Sequence, residues 1–358
     1  MTSTYGRQWF HPNVGESFSP PLLTADRLAM HGKADAAIKV YKSISSTSAG
    51  ARRRLVQARR QAQSHLKYIK PINEIGICAI DWYPGFSITD SFISKIFDLT
   101  NIPYYLATLA DADLIIAGCY GTEIQTKHTQ LTDRFILFVS GENLLPSYDL
   151  HDFSLTTFPD SFCGKNIRYP QWYGELSFET VQPRLKYSER CYYSHERDID
   201  FSFIYNNSTP QREEMLCVLK QAFGDSSIKV YGVHRGSEVD KLSILARSKI
   251  NICFENSIGK GYCTEKLLHA LSMGCYALYW GDPSYLSDFK GENIFNLYEH
   301  SHDEAVDWCR NKLSCNIVQS LQHPLPLANI IQSSVDLAQV IEHIRLWMSM
   351  IVNFRSLL

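Results

Sequence analysis

Residues 249–280 read KINICFENSIGKGYCTEKLLHALSMGCYALYW, and the change of character along them decides the fold. Lys249 to Phe254 is a short β-rich, apolar run bounded by the polar Glu255-Asn256-Ser257, and it reads as a buried strand. Gly259 and Gly261 then mark a loop. From Thr264 to Met273, Leu267, Leu268, Ala270 and Leu271 recur at helical spacing behind a hydroxyl suited to an N-cap. Tyr276 to Trp280 is a second strand-like run. A strand, a helix and a strand in about thirty residues form a βαβ unit, which implies a parallel sheet with helices on its faces.

The pattern extends outward from this unit. Phe201 to Tyr205 predicts a strand, Arg212 to Phe223 a helix and Lys229 to Tyr231 a strand. Further upstream, Ile75 to Ile80, Leu114 to Gly118 and Phe135 to Ser140 are strand-like, with a helix over Asp90 to Leu99, whereas Asn143 to about Asp198 reads as aromatic-rich loop. Two such alternations predict an α/β protein of two Rossmann-like domains facing across a cleft. Ligands then bind at the C-terminal ends of the parallel strands.

The N-terminal region is of a different kind. Thr24 to Ser45 predicts a helical hairpin broken at His31-Gly32-Lys33, similar to one tetratricopeptide-type unit. A third helix, Ala49 to Tyr68, carries Arg52, Arg53, Arg54, Arg59 and Arg60 and buries Leu55, Ala58, Ala62 and Leu66. Its arginines read first as a solvated face. The 358-residue chain has 35 Lys and Arg against 37 Asp and Glu, but residues 1–70 alone carry +9. Two readings of this basic unit stay open, self-association into a homo-oligomer or placement near an anionic membrane surface. Ser333 to Phe354 predicts a closing helix that docks on the rest. The expected organisation is therefore 1–70 accessory helices, 71–197 and 198–330 the two α/β domains, and 331–358 the docking helix.

No stretch of about 18 apolar residues and no signal-peptide pattern occurs, so a cytoplasmic protein, at most peripheral to a membrane, is expected. The 10 cysteines form no CxxC pair and read as reduced core thiols, with Cys309 and Cys315 the nearest candidates for a disulfide. Balanced charge argues against a nucleic-acid partner. Asp111-Ala112-Asp113 directly precedes an apolar run and reads as the start of a strand rather than a metal motif, and the histidines are dispersed, so no metal site is assigned. No GxSxG, P-loop or GxGxxG pattern is present.

The loop and helix start at 255–266 hold the densest chemistry. Backbone N–H groups at a helix start attract phosphate, Lys266 adds a full charge, glycines let a ligand approach, and Glu265 can accept hydrogen bonds from a ribose diol. By themselves these features indicate a nucleotide-like ligand or an ordinary strand-loop-helix capped by Thr264.

Phe254 to Ser257, Tyr262 to Lys266, Gly274 and Tyr279-Trp280-Gly281-Asp282-Pro283 together resemble the donor motif of the α-1,3-fucosyltransferases, glycosyltransferase family 10. Phe138 to Asn143 resembles the segment holding that family's catalytic carboxylate. Phe203 to Asn207 with Pro210-Gln211-Arg212 resembles the part supplying its phosphate-binding arginine. Asp81-Trp82-Tyr83-Pro84 resembles an aromatic acceptor-side loop. The resemblance spans about residues 72–300. Tyr276 stands where a proline is common in that family, and Cys263 replaces an aliphatic residue.

The resemblance implies a GT-B enzyme transferring L-fucose from GDP-fucose, with inversion, to a hydroxyl of a GlcNAc- or glucose-containing oligosaccharide or glycoconjugate. It assigns Glu142 as general base, Arg212 and Lys266 to the pyrophosphate, Glu265 to the ribose, and Asn256 and Tyr262 to the donor loop. Ser257 and Thr264 lie in the same donor motif and Trp82 and Tyr83 on the acceptor side, while Tyr231, with Arg235 and Lys241 downstream, reads either as a border of the donor pocket or as a strand end followed by surface basic residues. No cofactor is required, and any divalent cation would be non-essential. A transferase using another nucleotide sugar, or a non-catalytic glycan-binding or scaffold relative, are the alternatives.

Overall fold

In the computed structural model, which describes residues 19–68, 73–177, 183–192, 197–232, 240–314, 323–332 and 336–357, the decisive stretch folds as strand Ser248–Phe254, helix Glu265–Ser272 and strand Tyr276–Trp280. Along the chain, α1 (Pro20–Met30), α2 (Ala34–Ile44) and α3 (Ala49–Tyr68) precede β1 (Ile75–Ile80), α4 (Phe92–Leu99), β2 (Tyr104–Leu106), β3 (Leu114–Ala117), α5 (Glu123–Lys127), β4 (Phe135–Ser140), β5 (Phe153–Thr156) and β6 (Asn166–Arg168). A short ladder of β7 (Leu176–Ser177) and β8 (Arg184–Leu185) follows. Then come β9 (Ile199–Ile204), α6 (Pro210–Phe223), β10 (Ile228–Tyr231), α7 (Lys241–Arg247), β11 (Ser248–Phe254), α8 (Glu265–Ser272), β12 (Tyr276–Trp280), β13 (Ile294–Asn296), α9 (His302–Ser314), α10 (Leu327–Ile330) and α11 (Leu337–Arg355).

The chain divides into two units, one of Met1–Tyr169 with Asp336–Leu358 and one of Pro170–Val335. The first holds a parallel sheet in the order β2-β1-β3-β4-β5-β6, the second a parallel sheet in the order β10-β9-β11-β12-β13. In each, the strand order reverses at one place, between β1 and β3 and between β9 and β11. Doubly wound sheets bind ligands at the C-terminal ends of the strands flanking such a reversal. The two-unit α/β architecture expected of a GT-B protein is thus borne out.

The segment 170–197, grouped above with the first domain, lies in the second unit. The reason is aromatic packing: Trp172 is buried against Phe289 and its indole N–H donates to Asp288 at 3.2 Å, while the Tyr187 hydroxyl bonds Ser272 at 3.1 Å. The stretch read as loop also contains β5 and β6, which complete the first sheet. These two strands lack a continuous apolar run because Ser154 and Thr156 are buried beside Phe153 and Leu155, and both donate to the Asn166 side chain at 2.8 Å. Polar groups buried in this way are satisfied within the sheet.

The N-terminal helices are integral to the first unit. The hairpin breaks at 31–33 as read, but the buried stripe of α3 is Ala51, Arg54, Gln57, Ala58, Gln61 and Ala62, with Leu55 only half-buried and the Leu66 side chain outside the described residues. Arg54 is 3% exposed and pairs with Asp26 at 2.9 Å and Asp152 at 2.6 Å; Arg53 reaches Asp152 at 3.2 Å and Arg60 reaches Asp113 at 3.4 Å. Only Arg52 and Arg59 of that helix's arginines are exposed, so the solvated-face reading fails for the other three. Helix α11 docks on the same sheet: Trp347 stacks on Phe153 at 4.8 Å, Phe354 lies 6.1 Å from Phe135, and Arg355 pairs with the fully buried Asp113. Asp113 immediately precedes β3, as the strand-start reading expects.

No described helix is long and apolar enough to cross a membrane. Among the described residues no cluster of His, Cys, Asp and Glu could hold a metal ion. Of the described cysteines, Cys253, Cys263, Cys275 and Cys309 are buried and Cys163, Cys191 and Cys217 are exposed; Cys315 lies outside the described residues.

Candidate active site

Arg212 sits in the first turn of α6, whose start is set by Pro210 at the first helical position. Only 2% exposed, it reaches back across the β9/β11 reversal point. One terminal nitrogen donates to the Asn207 carbonyl at 2.6 Å; the other donates to the Phe254 carbonyl at 2.7 Å and the Asn256 side-chain oxygen at 3.0 Å. Its Nε has no hydrogen-bond partner among the described residues. Burial pulls the guanidinium below its usual pKa, and Glu255 opposes that shift. Arg212 therefore ties the ends of both strands together and leaves a buried positive charge beneath the 255–266 loop.

Glu255 is the second hub, 1% exposed. Its carboxylate accepts from the Thr264 backbone N–H at 2.8 Å, the Thr264 hydroxyl at 2.7 Å, the Lys266 ammonium at 3.2 Å and the Tyr279 hydroxyl at 3.5 Å. A carboxylate with this many donors is fully compensated for its burial. Burial pulls the Lys266 amine down, but Glu255 and Glu265 outweigh it and leave the pKa above the ordinary lysine value. Burial would raise the Glu265 carboxyl, yet Lys266, Lys241 and His269 overcome it and hold it at about 2. Lys241 lies 3.3 Å from Glu265. Both carboxylates and both lysines thus form one alternating charge chain at the start of α8.

The other residues named for the donor side fall around this chain. Asn256 is exposed and held by Arg212, and Ser257 is half-buried. Tyr262 is 1% exposed, so it supports the loop from below. The Thr264 hydroxyl is committed to Glu255, to Lys266 Nζ at 2.9 Å and to capping α8. Tyr231 ends β10, beside β9, and its carbonyl accepts from the Tyr205 N–H at 3.0 Å. Arg235 lies outside the described residues.

The first unit carries Glu142 just beyond β4. Its N–H donates to the Ser140 hydroxyl at 3.1 Å, and one carboxylate oxygen accepts from the Tyr120 hydroxyl at 3.4 Å. Burial first, and then Glu142, push the Tyr120 phenol well above its usual pKa, so it stays a donor. Tyr120 belongs to the loop after β3, and Trp82 and Tyr83 to the loop after β1, the two strands flanking that sheet's reversal point.

Asp81 builds this corner. It adopts φ +60°, and its carboxylate accepts from the Glu123 and Ile124 N–H groups at 2.7 and 2.9 Å while its carbonyl accepts from the Tyr120 N–H at 2.8 Å. Gly118 is required opposite it, since a Cβ there would lie 2.5 Å from the Asp81 carbonyl oxygen. Trp82 and Tyr83 then separate in role. The Trp82 indole N–H donates to Ile116 at 3.1 Å and its ring stacks on Phe86 at 3.9 Å, whereas Tyr83 is 50% exposed. A cavity of about 290 Å³ opens beside these loops, lined by Asp81, Gly118, Phe138, Leu144, Leu145 and His151 among others. That is near the lower end for small-molecule pockets, roughly 300 Å³.

Glu255 as anchor, Lys241 as partner of Glu265, and Tyr120 as partner of Glu142 were not assigned those roles from the sequence. For Tyr120 a signal existed, its place just past the C-terminal end of a strand-like run.

No protein-family model matches the chain. A Helicobacter pylori α-(1,3)-fucosyltransferase is 25% identical over 232 residues, covering 56% of this chain and 48% of that protein. GDP-fucose protein O-fucosyltransferase 3 of Gallus gallus is 32% identical over 90 residues, covering 25% of this chain and 15% of that protein. The chain thus spans at most about half the length of these curated relatives. Among solved structures, an α1,3-fucosyltransferase superposes with a TM-score of 0.59 at 19% identity, covering 79% of this chain and 91% of that one. An α1,3-fucosyltransferase crystallised with GDP-fucose superposes with a TM-score of 0.55 at 18% identity, covering 82% of this chain and 97% of that one. The chain is accordingly a sequence relative of an α-1,3-fucosyltransferase and has the fold of the solved ones.

Proposed function

We propose that the chain transfers L-fucose from GDP-fucose to a hydroxyl of a GlcNAc- or glucose-containing glycan, with inversion at the anomeric carbon. The observation that carries this reading is the Arg212, Glu255 and Lys266 cluster at the ends of β9 and β11, in a chain related to a fucosyltransferase. The acceptor oxygen attacks the anomeric carbon as the bond from that carbon to the β-phosphate oxygen breaks. The hydroxyl proton goes to Glu142, and the bonding pair leaves with GDP. Charge building on the departing phosphate is met by Arg212 and Lys266, which stabilise the transition state more than the ground state. Glu265, kept ionised by its lysines, accepts from the ribose hydroxyls. Asn256, Ser257 and Tyr262 shape the donor loop. The reading needs no cofactor because these side chains supply the charge.

The relatives named for protein O-fucosylation favour a second reading for the acceptor alone, a protein hydroxyl with the same donor. The test is a screen of oligosaccharide and protein acceptors with GDP-fucose, GDP-mannose and UDP-glucose, the linkage read by NMR. Transfer of fucose to a glycan supports the first reading, fucose on a Ser or Thr side chain the second. Transfer from another nucleotide sugar but not from GDP-fucose overturns both.

A further inference from the structure

We infer that Tyr120 couples acceptor binding to the base: its ring forms, with Tyr83, a corner on which an acceptor pyranose stacks, and its hydroxyl orients the Glu142 carboxylate toward that sugar. This rests on the proposed fucosyl transfer and adds to it a positioning residue and a recognition surface.

The geometry is specific. The rings of Tyr83 and Tyr120 meet at 86° with centroids 5.7 Å apart, and Tyr83 is braced in turn by Phe86 at 5.6 Å and 79°. Tyr83 is 50% exposed and Tyr120 55%, among the few large apolar side chains the described surface presents. Two exposed rings in contact make one apolar patch, and it is contiguous patches rather than single exposed side chains that mark binding surfaces. Here the ring edge is not interchangeable with any apolar cover, because the Tyr120 hydroxyl bonds the carboxylate that accepts the proton. A pyranose offers the matching chemistry, a C–H face for an aromatic ring and hydroxyls on its rim for a carboxylate. The Trp82 indole, with its N–H bound to Ile116 and its ring stacked on Phe86, serves as the fixed wall behind the corner and not as part of it. Asp81 and Gly118 set the approach of the two loops, so the corner is held by backbone contacts rather than by the rings themselves.

Steady-state kinetics with GDP-fucose and N-acetyllactosamine or lactose, on wild type and the Tyr120→Phe, Tyr120→Ala and Tyr83→Ala variants, separates the parts. Tyr120→Phe keeps the ring and loses the hydroxyl, so kcat falls about five-fold with acceptor KM within two-fold. Tyr83→Ala and Tyr120→Ala raise acceptor KM by about ten-fold, the scale of one aromatic stacking contact. GDP affinity, measured in parallel, stays at the wild-type value in all three and shows that they fold. Wild-type turnover with unchanged acceptor KM in both alanine variants, or unchanged kcat in Tyr120→Phe, overturns the inference and leaves the function standing. No transfer by the wild type above Glu142→Gln overturns the function and this inference with it.

Discussion

Glu255 shows how a single residue organises the loop and helix start at 255–266. It is buried with four donors around it, and Lys266 depends on it for both position and charge. Replacing it by Gln leaves the Lys266 ammonium with Glu265 as its remaining carboxylate and removes the charge that Thr264 and Lys266 bond, a change that costs about 3 kcal/mol of stability. We expect Glu255→Gln to lower the unfolding midpoint and to weaken GDP binding about ten-fold; a variant with wild-type affinity would show that Lys266 needs no such anchor. His151 gives a pH prediction. Its Nδ1 accepts from the Ser147 N–H at 3.2 Å, its ring lies 4.7 Å from Phe138, and burial, with Arg53 adding to it and Asp152 opposing, pushes its pKa down to about 4. The folded protein therefore holds a neutral imidazole where the unfolded chain takes up a proton near pH 6.5. Stability from this group is complete above that pH and is lost as pH falls from about 6.5 to 4. His151→Gln should flatten the acid side of a stability–pH curve in that window, and an unchanged slope would contradict the assignment.

At the scale of elements, α3 and α11 are bound to the first sheet by ion pairs that the sequence does not reveal. Arg54 meets Asp26 and Asp152, and its guanidinium also lies 5.4 Å from the Phe135 ring and 5.6 Å from that of Phe153. Arg54→Ala leaves the buried Asp26 without a cation and Asp152 with Arg53 alone, so a loss of about 3 kcal/mol is expected in denaturant unfolding; a loss under 1 kcal/mol would mean the pair is not buried in solution. For the same reason, removal of the N-terminal helices should leave the first unit insoluble rather than a trimmed enzyme. The elements that could be read directly, β1, β4 and β12, are continuous apolar runs. Those missed, among them β2, β5, β6, α7, β13 and α9, are short or polar, and β5 adds to its buried Phe153 and Leu155 side-chain bonds from Ser154 and Thr156 to Asn166, 12 and 10 residues away. The arginine stripe was misread because charge predicts exposure, and only tertiary partners reverse it.

For the whole molecule, the second sheet carries Arg212, Glu265 and Lys266 beyond β9 and β11, where strand order reverses, and the first carries Trp82, Tyr83 and Tyr120 beyond β1 and β3, with Glu142 beyond the neighbouring β4. The placement of Glu142, Arg212, Glu265 and Lys266 beyond strand ends was legible because they lie in ordered motifs along the chain. Tyr120 and the anchoring role of Glu255 were not, because each is defined by a partner distant in sequence. The boundary at 169/170 was hidden for a similar reason, since Trp172 and Tyr187 choose the second unit through contacts with Phe289, Asp288 and Ser272. The proposed reaction takes its base from Glu142 and its phosphate-binding charge from Arg212 and Lys266. The most direct measurement compares wild type with Glu142→Gln for fucose transfer from GDP-fucose, alongside GDP affinity. The account predicts that turnover falls by about 10²–10⁴-fold while GDP binds as before. Equal turnover in the variant, or no consumption of GDP-fucose by the wild type with any acceptor, would contradict it.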